Sequence, residues 1–224
     1  MKHITRLILL FLLILFANAC KKNKLEVMPM GSLNITNAIA GGTTARFGSY
    51  ATTIANNNFT QYSLLTGNSP LYIFPVGDSL HPYYNDNKFF ESATDSYSLF
   101  LAGTPAAVDA ILIKESISYR TDSTLGIRFI NLSQNSPALN ITLSTSPWVN
   151  EAAGLGYKKY TDLKSYPSLY NSNYTFQIRD PANPNTVLTT FPLTAAALPR
   201  FANITLVIKG PSPAVSIFRV NNDR

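Results

Sequence analysis

Apolar and polar positions alternate with a period of two along much of the chain. Leu33, Ile35 and Asn37 alternate with Asn34 and Thr36, the spacing of a strand that turns one face inward. Further β-rich apolar runs lie at 71–76, 97–101 and 108–113, then at 127–132, 139–143, 174–178, 204–208 and 215–220. Turn formers separate them: Gly41-Gly42, Gly67-Asn68, Asn85-Asp86-Asn87, Asp180-Pro181 and Gly210-Pro211. No long stripe of period 3.6 is present. The stretch 195–198 suits one helical turn, closely bracketed by Pro192 and Pro199. The pattern predicts an all-β protein.

The text also repeats. With Tyr97 placed on Ile204, Leu99 falls on Leu206, Gly103 on Gly210, Ala107 on Ala214 and Val108 on Val215 without a gap. Upstream, Leu33-Asn34-Ile35-Thr36-Asn37 mirrors Ile127-Arg128-Phe129-Ile130-Asn131. Each copy begins with a strand carrying an Asn near its end and finishes with strand, Gly-containing turn, strand. Residues 31–123 and 124–224 are therefore read as two related modules, each of a size that suits a small β-sandwich of immunoglobulin-like kind. The polar link 114–124 is short, which predicts limited freedom between them.

The first thirty residues read differently. Lys2 and Arg6 precede an uninterrupted apolar run at 7–17, too short to cross a bilayer as a helix and of the length of a secretory signal core. It ends in Ala17-Asn18-Ala19-Cys20. Small residues before a cysteine resemble the lipobox of bacterial lipoproteins. That resemblance implies a signal peptide at 1–19, an acylated Cys20 as the membrane-lipid anchor, and a tether at 20–30. The acyl chains, palmitate-like, would hold the protein at the outer membrane, facing the periplasm or the surface. Lys21, Lys22 and Lys24 could touch anionic headgroups or serve as a solvated tether.

The net charge of +6 changes meaning once these residues are set apart. Of the 18 basic residues, Lys2, Arg6, Lys21, Lys22 and Lys24 precede Leu25, leaving 13 against 12 acidic ones. No basic face interleaved with aromatics remains, so nucleic acid is not an expected partner. One Cys and two His exclude an intramolecular disulfide and multi-Cys metal sites, and no cofactor is expected. His81 is the one imidazole outside the signal, and it sits before Pro82 with no nucleophile-elbow glycines nearby. Asn85-Asp86-Asn87 lacks the spacing of a dedicated calcium loop and reads as a turn.

Aromatics are the richer resource. Tyr83-Tyr84, Tyr166 and Tyr170 are candidate ligand-contact rings, since exposed flat rings stack on sugars or anchor protein partners. Trp148, beside Pro147, is expected to be half buried. Asp78-Ser79-Leu80 and Asp122-Ser123-Thr124 resemble the short O-glycosylation pattern of Bacteroidetes-like periplasmic proteins, which makes Ser79 and Ser123 candidate acceptors.

Arg128-Phe129-Ile130-Asn131-Leu132-Ser133, followed by Pro137-Ala138-Leu139-Asn140-Ile141, resembles an uncharacterised bacterial domain family, the domain of unknown function numbered 4397. Tyr160, Tyr166 and Tyr174-Thr175-Phe176-Gln177-Ile178 continue the likeness. It covers 124–210, and more faintly 31–113. It implies an immunoglobulin-like sandwich found in secreted and lipid-anchored proteins, and it supplies no catalytic residues. The function expected is a non-enzymatic binding or structural role in the cell envelope. A glycan-binding accessory of polysaccharide uptake and an adhesin or fimbria-like subunit are the alternatives.

Overall fold

A computed structural model describes residues 28–222. Cys20 and its neighbours lie outside them. The first half contains β1 (Met30–Asn37), β2 (Ala45–Phe47), β3 (Thr53–Ile54), β4 (Asn58–Leu65), β5 (Gly67–Pro75), β6 (Tyr84–Phe90), β7 (Ser96–Thr104) and β8 (Ala107–Lys114). The second contains β9 (Thr124–Leu132), β10 (Leu139–Leu143), β11 (Ser146–Leu155), β12 (Lys164–Pro167), β13 (Tyr174–Arg179), β14 (Val187–Leu193), β15 (Ala202–Lys209) and β16 (Ser216–Asn221). A single 3-10 turn, Ala195–Ala197, falls where the sequence suggested one. The protein is all-β in two sandwich-like halves, as the periodicity predicts.

The halves share one strand order. Sheets β4-β1-β7-β8 and β3-β2-β5-β6 are matched by β12-β9-β15-β16 and β11-β10-β13-β14. The registers agree as well. Leu33 lies beside Tyr97 in the parallel pair β1/β7, and Ile127 beside Ile204 in β9/β15; these are the residues that the two sequence offsets superpose. Asn37 and Asn131 are both fully buried. Each uses its amide to hold the chain that follows: Asn37 donates to the Thr43 carbonyl at 2.9 Å, and Asn131 to the Leu155 carbonyl at 2.8 Å. A buried carbonyl without a partner would cost on the order of 1–3 kcal/mol, which accounts for an Asn at both places.

Alternate residues of the central strands face different cores. Leu33, Ile35, Leu99 and Leu101 point into the first sandwich with Phe47, Ile73 and Phe90. Ile127, Phe129, Leu206 and Ile208 point into the second with Ile141, Phe176 and Ile178. The opposite faces of the same two sheets meet each other: Ala38, Phe100, Ala102 and Ile113 pack against Ile130, Leu132, Val207 and Val220. The molecule is thus four sheets deep, and its two inner sheets are covered on both sides. Strands covered on both faces read as continuous apolar runs rather than alternating ones, as 97–101 and 204–208 do.

Polar contacts complete the join. Arg128, buried, forms a two-pronged ion pair with Glu115 of the link and donates to Thr205 at 2.7 Å. Lys209 reaches the carbonyl of Ile39 at 3.3 Å and Asn56 at 3.0 Å, and burial pushes its ammonium below the usual lysine range. Asp109 accepts from Lys158 at 2.8 Å and Tyr157 at 3.1 Å across the join. Burial works against the Asp109 charge, yet these donors and the Ala110 N–H hold the carboxyl below its ordinary value.

Two turn expectations fail: Gly67-Asn68 opens β5, paired with Phe90 and Phe89. Asn85-Asp86-Asn87 lies in the middle of β6, paired with Leu71 and its neighbours on β5. β6 is an edge strand whose outward residues are exposed, so polar text survives inside a ladder there.

Candidate functional site

β1, β9 and β15 run in the same direction, because Lys209 at the end of β15 meets Ile39 just beyond the end of β1. The two halves consequently share their ends. One end gathers the turn after β2, the β6–β7 and β8–β9 connections, the β10–β11 hairpin, and the loops 168–173 and 194–201. Most of the exposed large apolar side chains are here.

In the second half this end carries Tyr119, Trp148, Val149, Leu169, Tyr170 and Phe201. Each has a local cause. The β10/β11 register slips between Thr142–Asn150 and Leu143–Ser146, so Pro147, Trp148 and Val149 form a bulge, and a bulge re-aims side chains. Trp148 is 74% exposed rather than half buried as its sequence context suggested. Leu169 and Tyr170 ride on a tight turn closed by Ser172 N–H to the Leu169 carbonyl at 3.0 Å; Tyr170 is 89% exposed. Phe201 has a positive φ of 59°, and its N–H bonds the Thr124 carbonyl at 3.1 Å. Tyr119 and Phe201 line one cleft with Asn203 and Asn222. Beside it, Arg120 is fixed by Asn203, Thr124 and Ser165 at 2.6–2.8 Å.

The first half continues the surface. Met30 opens β1, Leu65 closes β4 and Phe89 lies near the end of β6, all three exposed. Tyr50 stacks on Phe47 with ring centres 5.0 Å apart. Among the exposed large apolar residues described, only Val76, Leu80 and Tyr160 lie elsewhere.

The four tyrosines singled out from sequence do not come together. Tyr83 and Tyr84 sit at the opposite end, half-buried against the first core. Tyr83 bonds the Thr43 hydroxyl at 3.2 Å, and Tyr84 donates to Asp86 at 3.2 Å. Burial and the Asp86 charge push the Tyr84 hydroxyl up to about 12. Tyr166 is not a surface ring: it is 4% exposed, inside the second core. It donates to Glu151 at 2.6 Å, and Lys164 grips the same oxygen at 2.6 Å. Burial, with the Glu151 hydrogen bond and charge, raises the Tyr166 hydroxyl far above the ordinary value. This group ties β12 to β11 and closes the open side of the sandwich. Tyr170 alone of the four is at the apolar end. The rings missed, Trp148, Tyr119 and Phe201, owe their exposure to a register slip and loop conformations that no local pattern signals.

Ser79 and Ser123 are exposed and lie in connections, Ser123 with a positive φ of 57°. His81, exposed, holds Asp78 at 2.9 Å three residues away. That contact lowers the Asp78 carboxyl, chiefly through the hydrogen bond. Among the described residues no group of three or more His, Cys, Asp or Glu is placed to hold a metal ion. No described helix is long and apolar enough to cross a membrane.

No family model and no curated protein matches the chain. Among solved structures, a carbohydrate-binding module of family 26 from Eubacterium rectale Amy13K, in complex with maltoheptaose, is similar at 9% identity. The match covers 87% of this chain and 98% of that one with a TM-score of 0.30.

Proposed function

We propose that the protein is a lipid-anchored component of a Gram-negative cell envelope with a non-enzymatic binding or structural role, its second half related to the domain family numbered 4397. The observation that carries this reading is the apolar end of the molecule, a surface built for contact, at the very place where the chain arrives from the Cys20 segment. The motif residues of the family resemblance fit such a role. Arg128 bonds Glu115 and Thr205, Asn131 holds the Leu155 carbonyl, and Ser133 donates to the Gly210 carbonyl at 2.5 Å. All three act on the fold itself. Growth with a radiolabelled fatty acid tests the anchor: the label is expected in the wild-type protein and absent from Cys20→Ser. An unlabelled wild-type protein would refute it.

A second reading rests on the cleft between Tyr119 and Phe201. Flat rings flanked by the amides of Asn203 and Asn222 and the guanidinium of Arg120 are the chemistry that binds a sugar ring. Titration of the detergent-solubilised protein against soluble polysaccharides tests it, with heat of binding expected to vanish in Tyr119→Ala.

A further inference from the structure

We propose that the apolar end face rests on a lipid bilayer, inserting Trp148, Val149, Leu169 and Tyr170 among the headgroups. The inference rests on the reading of Cys20 as the anchor and extends it from a leash to a docked orientation. Three observations converge on it. The first is position. The described chain begins at this end, with Met28 and Met30 both exposed. Seven residues lie between Cys20 and Met28, eight steps that at full stretch span at most about 29 Å. An anchor at residue 20 therefore keeps this end within reach of the membrane.

The second is composition. Trp and Tyr concentrate at the boundary between hydrocarbon and water, where an apolar ring and a polar tip are both satisfied. The end face presents these rings at the tips of separate loops, with Leu, Val and Met between them, as a shallow insertion requires. Lys21, Lys22 and Lys24 stand in the segment leading to it, and basic residues beside a bilayer are drawn to anionic lipid. The third is contrast. The opposite end is dominated by Asp78, His81, Asn85 and Asp86, exposed and polar, with Val76 and Leu80 as isolated exceptions. A contact surface on one end of a tethered molecule, facing the tether, is oriented toward whatever holds the tether.

Trp148 is the chain's sole tryptophan, so its emission reports on this face directly. The full protein, reconstituted in phosphatidylethanolamine–phosphatidylglycerol vesicles, is expected to lose emission when the lipids carry bromine near the headgroup. It is also expected to resist quenching by aqueous acrylamide. Replacing Leu169 and Tyr170 together by Ser should weaken the bromine effect, and Leu80→Ser at the opposite end should leave it unchanged. If intact mass confirms the acyl groups and Trp148 stays open to acrylamide and blind to bromine, the docking is wrong while the anchor stands. If the mass shows no acyl group, the same protein is mixed with the vesicles: bromine quenching on mixing upholds the face, and its absence overturns it. A Trp148 response to polysaccharide or to rising protein concentration, with none to vesicles, also overturns it in favour of a glycan or a second copy.

Discussion

Arg128 shows how a single charge is made tolerable inside a protein. It lies in the join between the inner sheets, where an unpaired charge would be costly, and Glu115 and Thr205 occupy its donors. Removing one member of such a pair leaves the other buried alone, at about 3–5 kcal/mol. Arg128→Met is expected to lose stability of that order in urea unfolding, and the double change with Glu115→Gln to recover much of it. Tyr157 gives a pH-dependent counterpart. Burial, then the Asp109 charge and hydrogen bond, push its hydroxyl up to about 12. A folded value above the unfolded one near 10 means that the contribution is complete below about pH 10 and is lost as the pH rises toward 12. Absorbance titration at 295 nm should show a late tyrosine step near pH 12 that Tyr157→Phe reduces, and the unfolding free energy should fall across the same window. At this scale the sequence was only partly legible. Asn131 and the Arg128 motif announced themselves, whereas the burial of Tyr166 depends on Glu151 and Lys164 brought from other strands.

Among the elements, the strands covered on both faces were easy to foresee, since β7, β9 and β15 write apolar runs and β1 alternates with a period of two. The short or edge strands β2, β3, β4, β6, β11, β12 and β14 were missed, because they are brief or their solvent faces carry polar residues and the pattern breaks up. The equivalent hairpins β7–β8 and β15–β16 were legible through their glycines. Gly103 has a φ of +81°, and a Cβ there would lie 2.2 Å from the Ala107 carbonyl oxygen. Gly154, at φ +61°, has open space around it. Backbone strain of about 1–3 kcal/mol falls on an alanine at either site, and the clash is added only at 103, so Gly103→Ala is expected to lower the thermal midpoint distinctly more than Gly154→Ala. Trp148 belongs to this scale too. It is placed by the bulge in β11 rather than by packing, and Trp148→Ala should change stability by no more than about 0.5 kcal/mol.

For the whole molecule, the apolar join makes the two halves partners rather than beads. Phe100 is fully buried there, and emptying a large core side chain costs about 3–5 kcal/mol. The wild type is expected to unfold in one calorimetric transition, and Phe100→Ala to lower its midpoint and split it into two. An unchanged single transition would show that the join contributes little. The duplication was visible in the text as a register of identical residues, but the face-to-face stacking was not, because strands sealed on both sides read the same whatever seals them.

The stacking has a symmetry of its own. β16 packs over β4 through Phe218 and Phe59, while Asp109 of β8 meets Tyr157 and Lys158 ahead of β12. The inner sheets are therefore related by an approximate two-fold axis along the strands. A lone module made without its sibling would bare a surface shaped to receive its own likeness, and self-complementary surfaces of this sort close into isologous dimers. The tandem chain can be regarded as such a dimer whose subunits have been fused, with residues 115–123 as the splice.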